Sequence, residues 1–244
     1  MIAILTDFGA SEYVGVMKGV IYSRCPRAVV VDLFHGVEPQ NVREGAWVLL
    51  TSYRHFPEGT IFLAVVDPGV GTERQGVAVR TGRYFFVGPH NGLLYPAAVD
   101  DGVQQVVRLA VPEGASRTFH GRDVFAPAAA ALERGSPLGR LGEPAELRVP
   151  LAFHREGREG EVVRIDPFGN IVTNLPPAGR AAYRLVADAL GEPLELPCYG
   201  TYGEAEPDRL FCVVGSAGTL EISVRNGSAA ARLPLRTGTR LRLE

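Results

Sequence analysis

Two aspartates follow strand-like apolar runs, and both could take part in acid–base chemistry. Asp7 comes directly after IAILT (2–6), and Asp67 directly after TIFLAVV (60–66). Because ligands of a parallel sheet bind outside the carboxyl ends of its strands, both carboxylates are expected to face one crevice. Either aspartate alone could equally be a turn or cap residue, whereas the pair at equivalent positions favours a site.

Arg74 follows Asp67 by seven residues in the segment VVDPGVGTER (65–74). A turn at Pro68-Gly69 would bring the guanidinium back towards the carboxylate, so this segment is either an ordinary surface turn or half of an active site. Its glycines do not make a dinucleotide fingerprint, because the GxGxxG spacing is wrong and a strand follows. No GxxxxGK[ST] motif occurs either, so phosphate binding is not indicated.

Four further residues could contact a ligand or take part in the reaction. His120, in FHGRDVFAPAAA (119–130), is either a loop residue or a titratable group of the site. Asn91 follows His90 at a turn and could contact a ligand. In DPFGNIVTNL (166–175), Asn170 can both donate to and accept from an adenine edge, and Phe168 could stack on a ring, although a plain β-turn also explains this segment.

The composition excludes several classes of function. With 46% hydrophobic and 21% charged residues, the 244-residue chain can bury a core, and we expect one large or two modest domains. The net charge of -2 comes from interleaved charges, which argues against a nucleic-acid groove. No apolar run is long enough to span a membrane, and no signal peptide is recognisable. The three cysteines lack metal-ligand spacing, so we expect no metal site. Taken together, the composition predicts a soluble cytoplasmic protein with no nucleic-acid or membrane partner.

Alternating strands and helices predict that the first half is an α/β domain with a mostly parallel central sheet. The predicted strands are residues 2–6, 28–34 and 60–66, and the predicted helices are 11–24, 42–56 and 123–135. Residues 76–81 and 83–88 are close enough in sequence to form a hairpin, and another β-rich run covers 103–111.

A polar, Gly-rich segment at 151–161 predicts a linker, so we expect an N-terminal α/β domain at 1–151 and a C-terminal domain at 160–244. Short β-rich runs separated by Gly, Asn and Pro predict a small all-β, antiparallel barrel-like C-terminal domain. These runs are 161–165, 170–175, 209–214, 219–225, 229–235 and 239–244. Residues 180–191 are predicted as the one helix of this half.

Seven segments together resemble one family: TDFG (6–9), YVGVMKGVI (13–21), VVDPGVGTER (65–74), GPHNGLL (88–94), FHGRDVFAPAAA (119–130), DPFGNIVTNL (166–175) and GSAGTLEISVRNGSAA (215–230). They are similar to the S-adenosyl-L-methionine (SAM) hydroxide adenosyltransferases, also called SAM hydrolases, which are relatives of the SAM-dependent fluorinase and chlorinase. The segments cover nearly the whole chain in the expected order.

The resemblance implies a homotrimer, in which the α/β domain of one subunit and the barrel of its neighbour build each substrate site. Hydrolases of the family carry an Asp-Arg-His triad, and the matching residues are Asp67, Arg74 and His120. The halogenases lack an acid at the position of Asp67 and have a small halide pocket. The chain therefore resembles the hydrolases.

The resemblance also implies binding roles for individual residues. Asp7 would hold the ribose hydroxyls, and Asn170 would hydrogen-bond adenine. The other matched positions are Asp166 and Ser216, near the methionine end, and Glu221 and Val224, which contact substrate from a barrel strand. Two residues depart from the family pattern and bear on methionine recognition: Glu12 replaces a common Asp, and Ala217 stands where bulkier or charged residues occur.

The implied reaction is hydrolysis of SAM at C5′ to adenosine and L-methionine, with a preference for the R epimer at sulfur. Because the sulfonium is a good leaving group, the enzyme need only position and activate water. Asp67 and His120 could accept hydrogen bonds from that water and take up its proton, while Arg74 stabilises hydroxide character. Neither a metal nor a second cofactor is required. The alternatives are a SAM-dependent halogenase and a protein that binds SAM or adenosine without turnover.

Overall fold

The chain folds into two units, of which the first is Met1–Leu151. In this unit the apolar runs Ile2–Thr6 (β1) and Ile61–Val65 (β3) lie side by side as parallel strands. Every residue of both strands is buried, as expected for strands of a sheet that helices cover. The computed structural model describes all 244 residues, and the second unit is Ala152–Glu244.

Five more strands complete the sheet of the first unit: Val30–Phe34 (β2), Gly76–Arg80 (β4), Phe85–Pro89 (β5), Gln105–Leu109 (β6) and Gly142–Pro144 (β7). The seven strands lie in the order β2-β1-β3-β5-β4-β6-β7. β2, β1, β3 and β5 pair in parallel, whereas β4, β6 and β7 add to this set by antiparallel pairing. The predicted hairpin is confirmed as β4–β5, but the mostly parallel sheet is not. The sheet is mixed, because the connection between β4 and β5 is too short for a parallel crossover.

Four α-helices belong to this unit: Tyr13–Arg24 (α1), Val42–Ser52 (α2), Tyr95–Asp100 (α3) and Ala126–Glu133 (α4). The helices predicted at 11–24 and 42–56 are confirmed, although α2 ends in a separate 3₁₀ turn, Tyr53–His55. The helix predicted at 123–135 is preceded by a π-turn, Gly121–Phe125. A second 3₁₀ turn lies at Leu138–Arg140. No helix has both the length and the apolar character needed to cross a membrane.

The second unit is a closed seven-stranded barrel in the order β10-β11-β12-β13-β9-β8-β14, with β14 pairing back to β10. Its strands are Glu159–Ile165 (β8), Ile171–Thr173 (β9), Ala182–Val186 (β10), Leu194–Tyr199 (β11), Leu210–Val214 (β12), Leu220–Val224 (β13) and Arg240–Leu243 (β14). The predicted all-β barrel is confirmed. One of its pairings, β11 with β12, is parallel rather than antiparallel.

Two predictions in this unit are wrong. The helix expected at 180–191 is instead β10 followed by a short 3₁₀ turn, because Tyr183 and Leu185 alternate with exposed neighbours and point into the barrel core. The strand expected at 229–235 is irregular, although Leu233 and Leu235 are buried. A 3₁₀ turn, Tyr202–Glu204, connects β11 towards β12.

Candidate active site

Asp67 lies just after β3, and the following turn returns the chain to it. The Asp67 carbonyl accepts a hydrogen bond from the Val70 amide, and Gly71 adopts a left-handed conformation with φ of 74°. A Cβ atom at Gly71 would lie 2.0 Å from the Arg117 carbonyl oxygen, so only glycine fits there. Arg74 then donates from Nε to Asp67 Oδ1 over 3.1 Å, and from Nη2 to Asp67 Oδ2. The result is a two-point ion pair with both side chains more than nine-tenths buried.

His120 extends this pair to a third side chain. Its Nδ1 lies 3.1 Å from Arg74 Nη2. Because a guanidinium can only donate hydrogen bonds, Nδ1 must accept, and the neutral ring therefore carries its proton on Nε2. Burial, and then the charge of Arg74, lower the pKa of His120. Burial raises the pKa of Asp67, although Arg74 acts in the opposite direction.

The ring of Phe125 packs against two of these groups. Its centroid lies 5.4 Å from Arg74 Cζ, and it meets the His120 ring edge-on at 6.5 Å. The π-turn that begins after His120 brings Phe125 to this position, and π-turns of this kind are frequent at functional sites. Gly76 makes room for the ring, since a Cβ there would lie 2.7 Å from Phe125 Cε1.

Asp7, Asp67 and His120 line one cleft of about 410 Å³ in the first unit. Phe8, Tyr13 and Phe119 form an edge-to-face aromatic cluster that also lines this cleft. The only hydrogen bond to the Asp7 side chain comes from the Gln40 amide, over 2.8 Å to Oδ2. A carboxylate, an ion pair and a neutral imidazole thus face a space of the size that holds a small molecule.

Asn91 does not line this cleft. Its Nδ2 donates to the Val66 carbonyl over 2.8 Å, and its Oδ1 accepts from the Leu93 amide. The amide group therefore holds the chain immediately before Asp67. Contact between Asn91 and a ligand stays a prediction.

The second unit contains a larger cleft, of about 1010 Å³, at one end of the barrel. All six residues predicted in this half line it: Asp166, Phe168, Asn170, Ser216, Glu221 and Val224. Asp166 organises the turn, because its Oδ1 accepts from the amides of Phe168 and Asn170 and its Oδ2 accepts from Asn170 Nδ2. Asn170 is buried, whereas Phe168 is 78% exposed and presents an aromatic ring to solvent.

Sequence reasoning missed several residues of the barrel cleft, of which Tyr202 is the most informative. Its hydroxyl donates to Glu221 Oε2 over 2.7 Å. Burial raises the pKa of Glu221, and burial together with Glu221 raises the pKa of Tyr202. The other missed lining residues include Arg225, Asn226 and Ser228. Asn226 adopts a left-handed conformation before Gly227, and the Asn-Gly pair was the one sequence signal that could have identified this turn.

No group of three or more His, Cys, Asp or Glu side chains is placed to hold a metal ion. The cleft of the first unit offers carboxylates, an imidazole and aromatic rings, and that of the second unit offers carboxylates, amides, an arginine and aromatic rings. Carboxylates and amides can hydrogen-bond the hydroxyl and amino groups of a small ligand.

The chain resembles known proteins over almost its whole length. Sequence models of the SAM hydroxide adenosyltransferase N-terminal and C-terminal domains match residues 2–142 and 160–242. The (R)-S-adenosyl-L-methionine hydrolase of Thermus thermophilus is 42% identical over 98% of this chain and 97% of that protein. A fluorinase of Actinopolyspora mzabensis is 31% identical over 100% of this chain and 96% of that protein.

The structural comparison agrees with these matches. The crystal structure of a conserved protein from Thermotoga maritima superposes with a TM-score of 0.92, at 35% identity and with both chains covered completely. The two domain models, in order and almost end to end, show that the chain belongs to the SAM hydroxide adenosyltransferase family.

Proposed function

We propose that this protein hydrolyses S-adenosyl-L-methionine to adenosine and L-methionine and prefers the R sulfonium epimer. The contiguous Asp67–Arg74–His120 assembly at the wall of the first cleft carries the proposal. The 42% identity to a protein named (R)-S-adenosyl-L-methionine hydrolase supports the choice of substrate and epimer. The acid at position 67 favours hydrolysis over halogenation, since the resemblance implies that the halogenases lack it.

The reaction is an in-line displacement at C5′ of the substrate. A water oxygen forms a bond to C5′ while the C5′–S bond breaks, and sulfur keeps the electron pair to become the neutral thioether of methionine. One water proton goes to a base of the enzyme and then to solvent. Because the leaving group is already activated by its positive charge, the enzyme contributes mainly position and proton transfer.

We assign the proton transfer to Asp67. The Asp67 carboxylate accepts two hydrogen bonds from Arg74 and one from the Gly69 amide, which leaves at least one oxygen with a free lone pair, whereas Nδ1 of His120 is occupied as an acceptor. In the neutral ring, Nε2 of His120 carries the proton and makes no hydrogen bond within the chain. This N–H group can donate to the water oxygen and orient the water molecule. Arg74 fixes the acid and the imidazole relative to each other.

Substrate binding is divided between the two clefts. Asp7, whose Oδ1 makes no hydrogen bond within the chain, would accept from the ribose hydroxyls. Asn170 and Phe168 would contact adenine by hydrogen bonding and stacking. The remaining proposed contacts are Asp166 and Ser216 near the methionine end, with Asn91, Glu221 and Val224.

We further propose that each complete site is formed between subunits of a homotrimer, with the first unit of one chain and the barrel of its neighbour. No cofactor is needed for the reaction, and a cytoplasmic location accompanies the proposal. Both the trimer and the location rest on the sequence resemblance.

The test is incubation of the protein with pure R and pure S epimers of SAM, followed by chromatography. We expect adenosine and methionine in equal amounts, formed faster from the R epimer. The same assay in chloride or fluoride buffer distinguishes a halogenase, which would yield a 5′-halo-adenosine. Absence of adenosine from both epimers would refute the proposal.

A further inference from the structure

His35 connects two loops at the carboxyl end of the sheet in the first unit. It lies just after β2, and its Nδ1 is 2.9 Å from the hydroxyl oxygen of Thr6, the last residue of β1. Its Nε2 is 2.8 Å from Oδ1 of Asp32. Both ring nitrogens of His35 therefore have hydrogen-bond partners.

The directions of these hydrogen bonds follow from the neighbouring groups. The Thr6 hydroxyl oxygen accepts from the Phe8 amide over 3.2 Å, so the hydroxyl proton is available for Nδ1 of His35. The protonated Nε2 then donates to Asp32. Lys18 donates to the other oxygen of Asp32 over 2.7 Å. Although partial burial acts to raise it, hydrogen bonds from His35 and Lys18 lower the pKa of Asp32, so this acceptor stays charged.

The loop after β2 holds the loop after β1 at three successive points. The His35 side chain bonds to Thr6, the Gln40 amide bonds to Asp7, and the His35 carbonyl accepts from the Gly9 amide over 2.8 Å. Gln40 has a φ of 67°, a left-handed conformation that costs energy for a residue other than glycine. The one amide that fixes Asp7 is thus held in a strained loop.

We propose that His35 is a positioning residue for Asp7, acting through Thr6 and through the loop that carries Gln40. The inference rests on the proposed function, in which Asp7 binds the ribose hydroxyls. Asp7 has a single hydrogen bond of its own, so its orientation depends on the two loops keeping their spacing. The chain Lys18–Asp32–His35–Thr6 fixes that spacing with charge-assisted hydrogen bonds at its outer end.

The experiment compares adenosine affinity by calorimetry with kcat and KM for SAM, using the full chain. For His35→Leu, which removes both hydrogen bonds, we expect adenosine Kd and SAM KM to rise about tenfold while kcat changes little. His35→Gln, which can accept and donate at once, should recover part of the affinity. Thr6→Val should behave like His35→Leu, and Thr6→Ser like the wild type.

Two controls separate positioning from general loss of stability. Thr60→Val removes a buried hydroxyl that donates to the Pro57 carbonyl outside the cleft, and it should leave adenosine affinity unchanged. In an Asp7→Ala background, His35→Leu should cause no further loss, because residues that act as a unit are not additive. If His35→Leu does not fold, Lys18→Met tests the same chain from its more exposed end.

The outcomes are distinct. Unchanged adenosine affinity in folded His35→Leu or Lys18→Met, with an active wild type, would overturn the inference and leave the proposed function standing. An equal loss in the Asp7→Ala background would also overturn it. A wild type that neither binds adenosine nor turns over SAM would remove the proposed function and the inference with it.

Discussion

At the scale of single residues, the two-point pair between Asp67 and Arg74 is the centre of the proposed catalytic site. Taking both charges out of water is costly, and two hydrogen bonds within the pair and a third to His120 offset part of that cost, although Nη1 of Arg74 is buried without a partner in the chain. A pair of this kind adds little stability compared with an apolar one. Its position at the wall of the cleft therefore points to chemistry as the reason for its presence.

We expect Asp67→Asn to reduce kcat by about 10²- to 10⁴-fold, the usual contribution of a general base. The amide keeps the shape of the carboxylate but cannot take up a proton, and it leaves Arg74 without a counter-charge. Adenosine affinity, measured by calorimetry, should change little. Asp101→Asn is the control, since the Asp101 carboxylate is as buried as that of Asp67 but pairs with the more exposed Arg83 and does not line the cleft. Unchanged hydrolysis in Asp67→Asn would contradict the assigned role.

The lowered pKa of His120 predicts how activity depends on pH. The ring must be neutral for Nδ1 to accept from Arg74, and its folded pKa lies below the ordinary value of 6.5. Activity should therefore stay high as pH falls to 6.5, and the acid limb of kcat should lie below that value. The stability that the neutral ring contributes is likewise present above pH 6.5 and is lost as pH falls through the folded pKa. A kcat profile with its acid midpoint above 6.5 would disagree.

At the scale of elements, the π-turn Gly121–Phe125 determines which side chains meet. The wider turn places the Phe125 ring against both Arg74 and His120. In a partly desolvated setting, contact between a guanidinium and an aromatic face is worth about 1–2 kcal/mol. The ring thus restricts two groups of the site at once.

We expect Phe125→Leu to lower kcat about tenfold, which corresponds to the loss of about 1.4 kcal/mol of ring contact. KM should change less, because Phe125 does not line the cleft of Asp7. The control is Phe86→Leu, which removes an equally buried ring that stacks on Phe62. Urea unfolding of both variants measures the shared cost of lost packing. Equal kcat in the two variants would show that the ring has no special effect.

Sequence patterns predicted the strands that are buried along their whole length. The runs at 2–6 and 60–66 are apolar throughout, and both form buried strands. The helix predicted at 180–191 is absent, because Tyr183 and Leu185 alternate with exposed residues as a strand requires. Pairing with neighbouring strands of the barrel determines that this segment is a strand, and local propensity does not indicate such pairing.

The contacts of the candidate site were predictable only in part. Asp67 and Arg74 could be selected by type and spacing, whereas His120 was added by the family resemblance, and the two-point geometry needed the turn through Gly71. His35 and Tyr202 could not be selected, because Thr6 lies 29 residues away from His35 and Glu221 lies 19 residues away from Tyr202. Sequence spacing indicates local pairs, whereas distant pairs depend on how the sheet and the barrel close.

At the scale of the whole molecule, each unit has its own hydrophobic core and its own cleft. One core gathers residues of the mixed sheet and α1, and the other lies inside the barrel. The proposed triad belongs entirely to the first unit, and the proposed adenine contacts belong entirely to the second. Variants in the two units can therefore disable different halves of the proposed site.

This division allows a test of the proposed inter-subunit site by complementation. Asp67→Asn disables the first unit and Asn170→Ala the second, so each variant alone should show little activity at low SAM. In trimers that contain both variants and have their sites between neighbours, about a third of the sites would receive both intact halves. We therefore expect co-expressed, differently tagged variants, purified through both tags, to recover activity that neither parent has.

The readout is adenosine release per chain, compared with a trimer that carries the same two tags on unmutated chains. A site formed within one chain predicts no gain on mixing, because every chain carries one disabled half. If mixed assemblies are verified but are no more active than the parent variants, both clefts of a working site must belong to one subunit. Recovered activity would require that neighbouring chains share it.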